Sequence, residues 1–302
     1  MSFFKSPHKS DTAAVFCILL TMVLFGLTFI FTRVALATNS VFTLLSWRFF
    51  TAFFLMTLLR IIGVWKIELK GIPLSLLCIG LLYPVLYYFF ESLGVSMTSA
   101  AESGIIISTF PVLSMLLAAF FLKEMPSRLQ ILSIFVSVLG AVVVVLGKGV
   151  SALTFNKLGY ITLFSAVFSV GLFYVISRGI PEYSSAAKSY LMMGMGSIAF
   201  SAAAAIEHLR NGSFTEWLTL PFKNPDFLAA VLFLGPLTSV VGTWGQNYAI
   251  ERLGVHRASA FSGIASVVSV LAGVFLLHES FTWIQCAGAV MILLGVTGVN
   301  LF

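Results

Sequence analysis

Arg48, Glu91 and Glu102 are ionisable residues within or at the edges of long apolar stretches. An ionisable side chain at membrane depth is costly, so its presence points first to a ligand, an ion pathway or a fixed partner. The guanidinium of Arg48 offers a planar fork of donors that matches a carboxylate or another anion. It could equally reach the membrane surface or bond backbone carbonyls, because its long stem lets the charge travel away from its Cα. Glu91 follows Tyr83, Tyr87 and Tyr88 along one stretch, and Glu91 and Glu102 are the candidates for proton coupling. Ser99-x-x-Glu102 also reads as a capping box, in which hydroxyl and carboxylate satisfy orphan N–H groups at a helix start.

A second group is uncharged. The segment PLTSVVGTWGQNYAIE (236–251) carries Ser239, Thr243, Trp244, Gln246 and Asn247. Thr243 and Asn247 lie one helical turn apart, as do Trp244 and Tyr248 on a neighbouring face. With Tyr83, Tyr87, Tyr88 and Tyr174, these side chains suit the wall of a cavity for a small organic molecule. The alternative is that the amides merely bond neighbouring helices. Pro84, Pro111 and Pro236 interrupt apolar stretches and are candidates for helix breaks and gating, since proline removes a ladder hydrogen bond.

Other chemistries lack their residues. There is no Gly-x-Ser-x-Gly, no His-Glu-x-x-His and no Cys-x-x-Cys, and the four His lie outside the apolar stretches. We therefore expect no catalytic residues, no metal and no cofactor, and not an enzyme. The net charge of +6 comes from scattered bases and gives no nucleic-acid patch. Cys17, Cys78 and Cys286 each fall in an apolar stretch, which argues against a disulfide framework.

The elements that must position these residues follow from composition. Of 302 residues, 59% are hydrophobic and 9% charged, against about 25% charged in a typical soluble domain. A helix crossing the hydrocarbon needs about 20 apolar residues. That ruler gives ten spans, near 13–36, 42–62, 72–92, 100–122, 128–147, 158–178, 187–206, 227–250, 257–277 and 283–302. Residues 1–12 form a tail, and 207–226 make the one long link, part of which could lie along the interface. With the N-terminus in the cytoplasm, inside segments hold eleven Lys and Arg against five outside. This bias predicts both termini cytoplasmic, in a plasma or inner membrane.

The chain also repeats itself. FFESLGVSMTSAAESGI (89–105) parallels AIERLGVHRASAFSGI (249–264). LKEMPSRLQILSIFVSVLGAVVVVLG (122–147) aligns without gaps on LHESFTWIQCAGAVMILLGVTGVNLF (277–302), pairing Glu124 with Glu279 and Gly140 with Gly295. Ser127-x-x-Gln130 and Thr282-x-x-Gln285 are matching capping boxes. Five spans is an odd number, so two halves at 13–147 and 158–302 would enter the membrane from opposite sides. That is an inverted-topology repeat, in which a substrate site lies between the halves and access alternates. The fold class expected is an all-α polytopic membrane protein of ten helices.

Further motifs carry a resemblance: FGLTFIFTRVA (25–35), SWRFFTAFFL (46–55), FPVLSMLLAAFFLKE (110–124) and VLAGVFLLHES (270–280). In this order and partly in duplicate, they resemble the drug/metabolite transporter superfamily, specifically its ten-helix EamA-type branch. The resemblance implies a carrier, often an exporter, of small metabolites, with amino acids or related compounds as the first expectation. It also implies a small-molecule substrate, and with it a lipid bilayer, possible proton exchange, and a monomer or homodimer. Glu91 stands where that family usually has a small residue. The alternatives from other classes are a receptor or scaffold that transports nothing, and an intramembrane enzyme.

Overall fold

The computed structural model describes residues 9–65, 74–123, 126–146, 156–177, 185–253 and 261–301. Among them every regular element is helical and no strand is present. This is what hydrocarbon demands, because a helix bonds its own backbone groups where water cannot. Helix α1 is Lys9–Leu36, α2 Val41–Ile61, α3 Leu74–Gly80 and α4 Tyr87–Met97, with a π-helical turn at Leu81–Leu86 between the last two. Then come α5 (Ala100–Ile107), α6 (Phe110–Leu122), α7 (Arg128–Leu146), α8 (Lys157–Ser177), α9 (Ser185–Arg210) and α10 (Phe214–Lys223). Helix α11 (Pro225–Leu232) runs through a π-helical segment, Phe233–Gly242, into α12 (Thr243–Leu253); α13 (Ser262–Leu276) and α14 (Trp283–Leu301) follow.

Among the described residues, six helical stretches are long and apolar enough to cross a membrane: Thr12–Leu36, Val41–Ile61, Leu77–Met97, Ala100–Phe121, Ala186–Arg210 and Pro225–Gln246. Four shorter apolar helices accompany them, at Arg128–Val144, Lys157–Phe173, Gly263–Leu276 and Trp283–Gly298. Phe54, Phe120, Phe135 and Leu294 are exposed on the outside of the bundle, as lipid-facing residues should be.

The ends of these helices follow local chemistry. Ser40 caps α2 by accepting from the Thr43 N–H at 3.1 Å, and Asn224 caps α11 through Phe227 N–H at 3.0 Å. The two capping boxes form: Ser127 and Gln130 exchange bonds of 2.7 and 3.2 Å, and Thr282 and Gln285 bonds of 3.0 and 3.2 Å. The duplication reaches the backbone as well. Lys123 and His278, equivalent in the ungapped alignment, both adopt left-handed φ values, of 57° and 53°.

Three interruptions depart from continuous helices. Pro84 and Pro236 each sit in a π-helical segment, and Tyr83 has non-helical angles (φ −141°, ψ 112°). The stretch expected as one span over 100–122 breaks at Ser108–Thr109, just before Pro111 at the start of α6. Hydroxyls also bond carbonyls there: Ser108 and Thr109 donate to Ile105 and Ile106 at 2.6 and 2.7 Å. Thr238 and Ser239 both donate to Leu234, at 2.6 and 2.8 Å.

Packing comes in matched sets. Helix α2 lies on α9, α7 on α14, and α5 on α13. Helix α1 contacts α13 as α8 contacts α6; α4 contacts α8 as α12 contacts α1. The first π-helical turn packs on α9, and the second on α2. The α7–α14 contact is backbone-close: a Cβ on Gly140 would lie 2.7 Å from the Gly288 carbonyl, and one on Gly295 2.5 Å from the Ser133 carbonyl. Only glycine allows that approach. The variant Gly140→Val should lower stability by about 1–3 kcal/mol through overpacking against unyielding backbone, measured by thermal unfolding in detergent. The lipid-facing control Ile131→Val should not.

Candidate functional site

Arg48 is 1% exposed, on α2 where that helix packs against the second π-helical segment. Its Nε donates to Ser239 Oγ at 3.1 Å, and its Cζ lies 4.2 Å from the centre of the Tyr88 ring. The π-helical turn is why Ser239 can accept. Its own hydroxyl hydrogen is committed to the Leu234 carbonyl, which leaves the oxygen lone pairs facing Arg48. Within the π-helical segment, then, a serine bonds a backbone carbonyl and in turn holds a guanidinium.

Glu91, also 1% exposed, lies one turn after Tyr88 on α4. The charges of Arg48 and Glu91 both act on Tyr88, and that of Arg48 on Glu91, with Arg48 itself set against the Tyr88 ring. Among the described residues no direct ion pair joins them. Arg48 Nη1 and Glu91 Oε2 are buried without a hydrogen-bond partner, as is Thr243 Oγ1, one turn beyond Ser239. A buried charge with an unpaired donor or acceptor is costly unless something else occupies it.

The surrounding wall is aromatic. Tyr83 and Tyr88 share a 3.0 Å hydroxyl–hydroxyl bond, and Tyr83 packs on Tyr87 and Phe173, with ring centres 5.2 and 5.1 Å apart. Phe49 bridges Tyr88 and Phe200, at 5.1 and 5.4 Å. Gly196 lets α9 approach Phe49 closely, since a Cβ there would come within 2.6 Å of the ring.

The structure therefore gathers Arg48, Tyr83, Tyr87, Tyr88, Glu91 and Ser239, with Thr243 on the same segment as Ser239. Pro84 and Pro236 lie in the interruptions that shape this region, and Pro111 in a third one elsewhere. Trp244 does not join them: it is 44% exposed and stacks on Tyr248 at 5.5 Å. Gln246 is half-buried and has an interaction partner of its own. The side chains of Tyr174 and Asn247 lie outside the described residues, as does all of Glu124. Phe49, Phe173 and Phe200 were not singled out from sequence, because a phenylalanine among thirty in apolar helices carries no distinguishing signal.

Glu102 belongs to a separate cluster. Its Oε2 accepts from Ser99 N–H at 3.0 Å and Ser99 Oγ at 2.8 Å. Its Oε1 accepts from Tyr160 at 2.9 Å and from Gln285 Nε2 at 2.8 Å. Four donors surround a carboxylate that is 0% exposed, tying α5 to α8 and α14. Gln285 therefore does two tasks, capping its own helix with Oε1 and holding Glu102 with Nε2. Among the described residues, no group of three His, Cys, Asp or Glu could hold a metal ion.

Buried charges between helices of membrane-crossing length and composition define a polytopic integral membrane protein. Comparison with known proteins agrees: residues 12–146 and 157–301 each match the EamA-like transporter family. The chain belongs to that family and is a membrane transporter. It is 32% identical over 296 residues to an uncharacterized transporter of Bacillus subtilis, YcxC, covering 97% of this chain and 94% of that one. An uncharacterized transporter of Archaeoglobus fulgidus is 26% identical over 283 residues, covering 92% and 95%. A solved crystal structure at 19% identity shares the fold, with a TM-score of 0.60 over 95% of this chain and 96% of that one.

Hydrogen bonds to a charged acceptor are worth about 1.5–3 kcal/mol each. Glu102→Gln, which forces an amide N–H₂ against at least one donor, should lower stability by at least about 2 kcal/mol. Tyr160→Phe should cost about half as much. Unfolding in detergent, followed by intrinsic fluorescence, measures both.

Proposed function

We propose that this protein is a secondary transporter of ten spans, built as two inverted halves at 13–147 and 158–302, that exports a small organic metabolite by alternating access. The duplicated sequence, the matched helix pairings and the paired left-handed residues Lys123 and His278 support the two-half reading. The Lys and Arg bias supports both termini in the cytoplasm of a cell with the protein in its plasma or inner membrane.

The observation that carries the substrate reading is the pair of unpartnered buried atoms, Arg48 Nη1 and Glu91 Oε2. One is a cationic donor and the other an anionic acceptor, held around Tyr88 beside both helix interruptions. A zwitterion satisfies both at once: its carboxylate meets Arg48 and its ammonium meets Glu91. The rings of Phe49, Tyr83 and Tyr87 then accept an apolar side chain. An α-amino acid or a closely related compound has this chemistry. Glu91 is also the better candidate for proton coupling, because an unpartnered oxygen can take a proton when the ammonium leaves. Glu102 has its lone pairs occupied.

Counterflow of radiolabelled neutral amino acids in proteoliposomes tests this reading. Wild-type protein should show trans-stimulated uptake of at least one of them. Arg48→Lys, which keeps the charge but loses the fork, and Glu91→Gln should each lower uptake on the order of tenfold or more, the cost of one charge-assisted hydrogen bond. No trans-stimulation across a full amino-acid panel would exclude this substrate class. If uptake is proton-coupled through Glu91, an imposed pH gradient should drive the wild type and fail to drive Glu91→Gln.

A further inference from the structure

One junction, at the end of α4 beyond Glu91, is held by charges from both halves. Helix α4 ends at Met97 and α5 begins at Ala100, so two helix ends meet across Thr98 and Ser99. The last carbonyls of α4 lack intrahelical partners and carry the negative end of its dipole; the first N–H groups of α5 carry the positive end of the other. Arg33, from α1, donates from Nη1 to the carbonyls of Val95, at 3.1 Å, and Thr98. Glu279, from the α13–α14 connection, accepts from the N–H groups of Ala100 and Ala101 at 2.8 and 3.0 Å. Arg33 Nε and Glu279 Oε1 then lie 3.4 Å apart.

The backbone aims Glu279 at this junction. Helix α13 stops where His278 turns left-handed, and the Glu279 N–H folds back to the Gly273 carbonyl at 3.1 Å. Gly273 leaves the space: a Cβ there would lie 2.6 Å from Glu279 Oε2 and 3.3 Å from Ala101. Beneath the charges lies a plug of Phe29, Ile30, Val95, Ala100 and Ala272, drawn from α1, α4, α5 and α13. Glu279 is 9% exposed and Arg33 39%, so the charge pair sits at the border of solvent and plug.

We propose that Arg33 and Glu279 form a latch that shuts the mouth of the transporter at the α4–α5 junction, each charge gripping the helix end of opposite polarity. This rests on the alternating-access reading above. Opening at this end must move α13 and its connection away from α1 and α5, which breaks the ion pair and strips two N–H groups of their acceptor. The latch therefore sets how often this mouth opens, independently of which molecule occupies the centre. A specific consequence separates it from an ordinary surface pair. Reversing both charges restores the ion pair but sets a carboxylate against carbonyls and a guanidinium against N–H donors, so reversal does not restore the closed state.

The test is a spin-label distance measurement in nanodiscs without substrate. Labels go on cysteines at Thr38 and Ser280, two exposed residues that follow Arg33 and Glu279 in the chain, with Cys17, Cys78 and Cys286 replaced. Wild type should give one dominant short distance. Arg33→Gln and Glu279→Gln should each raise a longer-distance population roughly tenfold or more, the worth of a charge-assisted bond. Arg33→Lys should fall between, and the double variant Arg33→Glu/Glu279→Arg should resemble the single ones. Unchanged distances in both Gln variants would overturn the latch, and so would recovery of the wild-type distribution on charge reversal. If Glu279→Gln fails to fold, Arg33→Gln and Arg33→Lys carry the same comparison. Because no substrate is present, failed amino-acid counterflow would overturn the substrate reading and leave this result standing.

Discussion

Everything in this protein depends on one constraint: inside hydrocarbon, each backbone N–H and C=O must find its partner within the protein. Continuous helices meet it automatically. Each place where the chain departs from a continuous helix therefore needs a compensating side chain, and those compensations organise the rest. Ser108 and Thr109 bond carbonyls at the break before Pro111; Thr238 and Ser239 bond the Leu234 carbonyl inside the segment that holds Pro236. In the second case the compensating hydroxyl also orients Arg48. A hydroxyl bonded to the backbone of an interruption thus also holds a buried guanidinium.

The same constraint separates charges whose partners lie within the protein from charges left open to a ligand. Glu102 and Glu279 are buried or nearly so, and both are occupied by donors from helix starts and neighbouring helices. Arg33 is likewise held by carbonyls. Arg48 and Glu91 differ, since each keeps an atom without a partner in a region lined by aromatic rings. In a family built to hold and release a small molecule, an unsatisfied charge is what a reversible ligand can exploit. A saturated charge instead ties helices together for as long as its contacts stay closed. The two kinds also lie in different places: the unsatisfied pair beside the π-helical interruptions, the saturated ones at helix ends.

The duplication carries a further lesson about what evolves freely. Backbone features recur between the halves: capping boxes, left-handed residues at 123 and 278, and glycine contacts between α7 and α14. Side chains have diverged around that frame. Gln285 reaches Glu102 while capping its own helix; Gln130 caps α7 at the exposed end of that helix. Glu102 has Phe261 in the corresponding place of the second copy, so the carboxylate network exists once rather than twice.

Much was legible in the residues alone, for a physical reason. Helices, caps and proline breaks depend on neighbours within about one turn, so apolar length, Ser-x-x-Gln spacing and Pro84 and Pro236 announced them. The ionisable residues were conspicuous because charge is rare in such stretches. What only the tertiary structure decided was how those residues combine. Arg48 and Ser239 are separated by 191 positions, and no local rule brings them together. Nor does spacing show that Trp244 turns outward, that Phe49 and Phe200 wall the centre, or that Glu279 serves the start of another helix. Those outcomes depend on which helix packs against which, and that is set by glycine contacts and interlocking side chains distant in the chain.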